Sequence, residues 1–151
     1  MTNPQKVMIV PCSGIGKSYG TVSRVAAYQV TEDDRPDSAQ LIPLALLVLG
    51  DEASRAPLAE YPAITLDGCK LACATRMVQE CGGQVAKDFA VLEVYRRYRD
   101  FKPQGIGELN EGGRKLADAL AKEVDAAVDQ LTAVEALTGT AQVSGAGGQN
   151  A

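Results

Sequence analysis

The chain alternates short apolar runs with glycine-rich turns and amphipathic stretches. "KVMIVPC", residues 6–12, is a continuous apolar run ending at Pro11 and predicts a buried strand. "SGIGKSYG" follows as a glycine-rich turn. "KSYGTVSRVAAYQVTEDDRP" then predicts a helix, with Val22, Val25, Ala26, Tyr28 and Val30 on a partly apolar face and Pro36 as its stop. Residues 39–60 fit two patterns. "AQLIPLALLVLG" reads as a strand to about Leu44 and then a helix, or as one apolar helix beginning at Pro43. Periodicity does not separate the two.

"PAITLDGC", residues 62–69, predicts a second strand closed by an Asp-Gly turn. "KLACATRMVQECGG" predicts a helix over residues 70–81, capped by Gly82-Gly83. "QVAKDFAVLEVY" predicts a third strand, with a turn near Lys102-Pro103. Beyond Asn110, the residues Ala117, Leu120, Val124, Ala127, Leu131 and Val134 recur at spacings of three and four, the stripe of an amphipathic helix. The stripe is too short for a coiled coil, so it predicts a helix packed on the domain, or a dimer seam. "TGTAQVSGAGGQNA" is read as a disordered tail. Strands alternating with helices predict a small three-layer α/β sheet of Rossmann or flavodoxin-like type, with mainly parallel strands and an added C-terminal amphipathic helix.

Composition narrows the chemistry. The chain has 151 residues, 46% of them hydrophobic, and no tryptophan, so one domain with an aliphatic core is expected. The net charge of −4 lies in residues 104–151; residues 1–103 are balanced. Nothing supplies the positive face that nucleic-acid binding needs. No apolar stretch approaches the roughly 20 residues of a membrane span, and the N-terminus lacks a signal-peptide pattern, so a cytoplasmic location is expected. The chain has no histidine. Ser-His and Cys-His catalytic pairs are therefore excluded, and a metal would have to rely on thiolates, carboxylates or backbone groups.

Two βα turns carry the candidate chemistry. Gly14, Gly16, Lys17 and Ser18 resemble the end of a phosphate-binding loop, in the right place between strand and helix. Its first glycine, however, is replaced by Pro11, which has no N–H and a fixed φ. As a bland alternative, the glycines only shape a tight turn and Lys17 is solvated. The four cysteines are Cys12, Cys69, Cys73 and Cys81. Cys12 ends the first strand, and Cys69 follows the Asp67-Gly68 turn. A helix from residue 70 would put Cys69 at its N-cap and Cys73 one turn on, along the same face. Neighbouring strands would then bring three thiols together beside helix N-termini, which favour thiolates. Soft sulfur ligands suit Zn2+, Cu(I) or an iron–sulfur cluster. Cys81 stands eight residues beyond Cys73, about 12 Å along a continuous helix, too far for one tetrahedral site. Its alternative is a buried structural thiol. Arg24 is read either as offsetting thiolate charge or as pairing with Glu32 or Asp33.

"CSGIGKSYGTVSRVAAYQV" and "ITLDGCKLACATRMV" resemble the DGC-domain family, named for the motif present here as Asp67-Gly68-Cys69. The resemblance spans roughly residues 6–103 and includes the C-x-G-x-G-K loop, Gly20-x-x-x-Arg24 and the D-G-C-x-x-x-C-A segment, in the family's order. It implies a metal-binding domain over 1–103, with family cysteines taken to bind zinc. Cys12, Cys69 and Cys73 fall on its motifs; Cys81 does not. The expected organisation adds the packed helix at 104–137 and the tail at 138–151. The expected function is a metal carrier or sensor. Cys12, Cys69 and Cys73 would supply thiolates, and the fourth position would be left to Cys81, Asp67, water or a partner's ligand. The same thiols would alternatively serve thiol redox or sulfur transfer. The expected partners are a metal ion and a protein that exchanges metal or sulfur with it, with neither nucleic acid nor membrane, in a monomer or homodimer.

Overall fold

The computed structural model describes residues 5–144, with side chains to residue 133. β1 (Val7–Pro11), β2 (Ala39–Leu41), β3 (Ala63–Asp67) and β4 (Val85–Ala90) form one parallel sheet in the order β2-β1-β3-β4. β1 and β3 are buried at every position. A strand covered on both faces reads as a continuous apolar run rather than an alternating one, as "VMIVP" does.

Alternation within these strands separates two cores. Val7 and Ile9 of β1, with Ile64 and Leu66 of β3, face one side; Met8, Val10 and Ala63 face the other. The first side is covered by α1 (Ser18–Tyr28), α5 (Val91–Arg97) and α6 (Glu111–Ser144). The second is covered by α2 (Leu44–Leu49), α3 (Glu52–Glu60) and α4 (Cys73–Glu80). The result is the expected three-layer α/β arrangement.

Several boundaries differ from the sequence expectation. Residues 39–60 follow the strand-then-helix alternative: β2 has only three residues, and Pro43 precedes α2. The helix after β3 begins at Cys73, not residue 70, because residues 69–72 form a turn, closed by the Ala72 N–H on Cys69 O at 3.2 Å, and Ala72 adopts a left-handed conformation with φ 51°. Cys69 is therefore not an N-cap. The apolar stretch after Gly83 splits into β4 and α5 at Ala90–Val91. Helix α6 continues past residue 137 to Ser144, so only residues 145–151 of the expected tail lie outside the described residues.

Helix α6 buries Ala117, Leu120, Val124 and Ala127 against the first core, with Leu131 partly buried; the Val134 side chain lies outside the described residues. Asn110 starts the helix by accepting the Gly113 N–H at 2.8 Å. α1 continues through a π-helical turn, Gln29–Asp34, along which α6 is fastened. Gln29 Nε2 donates to Asp34 (3.2 Å) and to Asp118 (2.9 Å), and Arg35 makes a two-pronged pair with Asp129 at 2.8 and 2.9 Å. Between these contacts Asp125 is buried, and its Oδ1 has no partner among the described residues. Loss of water around it and the facing Asp34 carboxyl push its pKa up to about 7. Among the described residues no helix is long and apolar enough to cross a membrane.

Candidate functional site

In an open parallel sheet, the crevice at the carboxyl ends of the strands opens where consecutive connections leave toward opposite faces. Here that place lies between β1 and β3. The β1–α1 loop turns to the α1 layer and the β3–α4 loop to the α4 layer. Cys12 stands at the first exit and Cys69 at the second, with Cys12 N–H donating to Leu66 O at 2.8 Å.

Glycines fasten the two loops together. A Cβ on Gly68 would lie 2.6 Å from Gly20 N and 2.7 Å from Gly20 Cα, closer than any side chain tolerates. A Cβ on Gly20 would lie 3.0 Å from Gly14 Cα and 3.3 Å from Cys12 Sγ. Gly14 itself has φ 77°. The C-x-G, G-x-x-x-R and D-G-C motifs are thus one packing contact: the middle glycine of D-G-C abuts the helix that holds Gly20, and the sulfur of Cys12 rests beside it. Backbones approach this closely only where both partners lack a side chain.

Asp67 has a different role from the fourth ligand considered above. Its Oδ1 accepts the Ala74 N–H at 2.9 Å, and its Oδ2 accepts Thr75 Oγ1 at 2.6 Å and the Thr75 N–H at 3.3 Å. Both oxygens are occupied at the start of α4, satisfying amides that the helix itself cannot. Thr75 Oγ1 also meets Thr65 Oγ1 at 2.6 Å, which ties the helix to β3. Sequence spacing gives no sign of this cap, because donor and acceptor are seven and eight residues apart across an irregular turn.

The four cysteines are all free thiols. Cys12 and Cys69 are half-buried at the crevice, and Cys73 is exposed in the first turn of α4. Cys81 sits at the opposite end of α4, half-buried against the second core with Met77 and Val85. The structure therefore brings Cys12, Cys69 and Cys73 to one edge and leaves Cys81 apart, as a packing thiol. Among the described residues, no three His, Cys, Asp or Glu side chains gather closely enough to enclose a metal ion.

Of the phosphate-loop residues, Lys17 and Gly16 are exposed and Gly16 has φ 94°. Ser18 Oγ donates to Pro103 O at 3.3 Å and Thr21 Oγ1 to Ile106 O at 2.7 Å, so the first turn of α1 is roofed by residues 103–107. Arg24 donates to Gly107 O at 3.3 Å. It pairs with neither Glu32 nor Asp33, and among the described residues it forms no ion pair. Its stem lies against Gly14 on the Cys12 loop. The three loops at this edge each expose one large aliphatic side chain: Ile15, Leu71 and Ile106.

No curated protein and no solved structure matches the chain. The family model of the DGC domain matches residues 8–112, from β1 through the start of α6, and covers both cysteine loops and the glycine contact between them. The chain belongs to the DGC-domain family.

Proposed function

We propose that this is a metal-binding protein of carrier or sensor type, in which Cys12, Cys69 and Cys73 offer thiolates to a zinc ion at the crevice between β1 and β3. One observation carries the reading: two loops that leave adjacent parallel strands for opposite layers are joined at Gly20 and Gly68, and this contact holds the Cys12 and Cys69 positions on either side of one crevice. The donor chemistry fits a soft ion. It consists of sulfur alone, with no histidine in the chain and with Asp67 committed to the cap of α4. Cys12 and Cys69 are half-buried and Cys73 is exposed, an accessibility that suits an ion exchanged with a partner. When bound, zinc would supply Lewis acidity and a site for a partner's ligand. The chain's own contribution is to hold the sulfurs, with the Arg24 guanidinium on the Cys12 side to offset their charge. A thiolate site of this kind needs a reducing setting, in keeping with a cytoplasmic location.

The exposure of Cys73 favours one second reading, a thiol-redox or sulfur-transfer protein in which this sulfur is the attacking group. Elemental analysis of anaerobically purified protein separates the two. The metal reading expects about one zinc per chain, lost in Cys69→Ser and kept in Cys81→Ser. Iron with matching sulfide would keep the site and change the ion. Absence of metal from every form would overturn the metal reading in favour of thiol chemistry.

A further inference from the structure

A second feature lies on the other side of Cys12, between the ends of β1 and β2. It is a cavity of about 230 Å³. One wall is apolar and comes from β2 and the start of α2: Leu41, Pro43, Leu44 and Ala45. The facing side comes from the end of β1, the first loop and α1: Pro11 and Ile15 are apolar there too, and Cys12, Ser13, Arg24 and Tyr28 bring the few polar atoms. A concave apolar surface with a few convergent polar groups, at the carboxyl edge of a parallel sheet, has the character of a small-molecule site.

The cation in it is the informative group. Arg24 is half-buried, its stem is held against Gly14, and among the described residues its guanidinium donates only to the backbone carbonyl of Gly107, on the exposed side. A guanidinium offers five N–H donors in a planar fork suited to a carboxylate. Arg35 and Arg97, which tie α6 to the body, each have a carboxylate in place, whereas Arg24 has none among the described residues. The cavity holds a small molecule and no more, and its apolar wall has room for a short carbon chain.

We propose that this cavity binds a short-chain organic carboxylate, with the carboxylate on Arg24, the hydrocarbon against Leu41 and Leu44, and the bound molecule lying over the Cys12 thiol. The site shares Cys12 and Arg24 with the zinc reading but needs no metal, so its test is run on metal-stripped protein, where its failure and that of the zinc reading are distinguishable. Alkylation of Cys12 is followed by peptide mass spectrometry, with iodoacetamide as the neutral reagent and iodoacetate as the anionic one. Arg24 is expected to favour iodoacetate over iodoacetamide by about tenfold relative to Arg24→Gln, the size that one partly screened charge pair gives. Valerate at millimolar concentration is expected to protect Cys12 from iodoacetamide, whereas pentanol at the same concentration is not. Arg24→Gln removes the protection, and Arg24→Lys, which keeps the charge, retains part of it. Ala45→Phe, at an exposed position on the apolar wall, fills the cavity and removes protection without touching the cation. Protection by inorganic phosphate as strong as that by valerate would overturn the apolar half of the proposal. Equal protection by pentanol, or none by valerate in the folded parent protein, would overturn the whole of it.

Discussion

Replacing Asp125 by asparagine is expected to stabilise this protein at neutral pH, although it alters a buried polar group. The parent carboxyl is buried in α6 with no partner for Oδ1 among the described residues, and it faces Asp34 from the π-helical end of α1, with Arg35 and Asp129 beside it. Burial and Asp34 raise its pKa from 3.8 to about 7, against the opposing pull of Arg35. The folded state thus holds a proton that the unfolded chain releases near pH 4. Stability from this group is fully present below about pH 4 and falls as pH climbs to about 7, after which it stays flat. At about 1.4 kcal/mol per pH unit the ceiling is about 4 kcal/mol, and solvent at the rim of the α1–α6 contact reduces it to about 1–2 kcal/mol. Asparagine keeps the shape and carries no charge at any of these pH values. Urea unfolding of both proteins at pH 5 and pH 8 measures the effect. The stability difference in favour of the variant should widen between the two pH values by about 1 kcal/mol, part of that range. A variant less stable than its parent at pH 8, or a difference that does not change with pH, would refute the reasoning.

Two further substitutions address the cysteine edge. Gly68→Ala puts a Cβ within 2.6 Å of the Gly20 backbone and should cost about 1–3 kcal/mol as the loops are forced apart; thermal unfolding reads the cost, and an unchanged melting temperature would show that the contact is looser than described. Asp67→Ala removes three hydrogen bonds from the start of α4 and should cost about 1–3 kcal/mol; hydrogen exchange should show the Ala74 and Thr75 amides losing protection ahead of β3, and exchange rates unchanged at those two amides would count against the cap.

The long, strongly patterned elements were legible in the sequence because their burial is uniform. β1 and β3 are covered on both faces, and α6 carries one continuous stripe. α5 was not, because "DFAVLEVY" carries no glycine or proline where β4 becomes helix, and an apolar run reads the same in either state. The cysteine edge was legible because it is built from short motifs. The tasks of the residues around it were hidden, since they depend on contacts across the fold. Asp67 looks like a ligand until the turn at Ala72 aims the α4 amides at it. Asp125 meets Asp34 only when α6 lies along α1. The cavity wall opposite Cys12 comes from the very stretch, residues 41–45, whose pattern was ambiguous.

The placement of Cys12 and Cys69 at adjacent strand ends also has a meaning in chain topology. Between them the polypeptide runs through α1, β2, α2, α3 and β3 before returning to the same crevice. Any bond that joined the two sulfurs, through an ion or directly, would close a loop of about 57 residues and remove about 4 kcal/mol of denatured-state entropy in the chain-entropy picture. The crevice is thus a place where the occupancy of a few atoms is converted into the resistance of more than a third of the chain to unfolding.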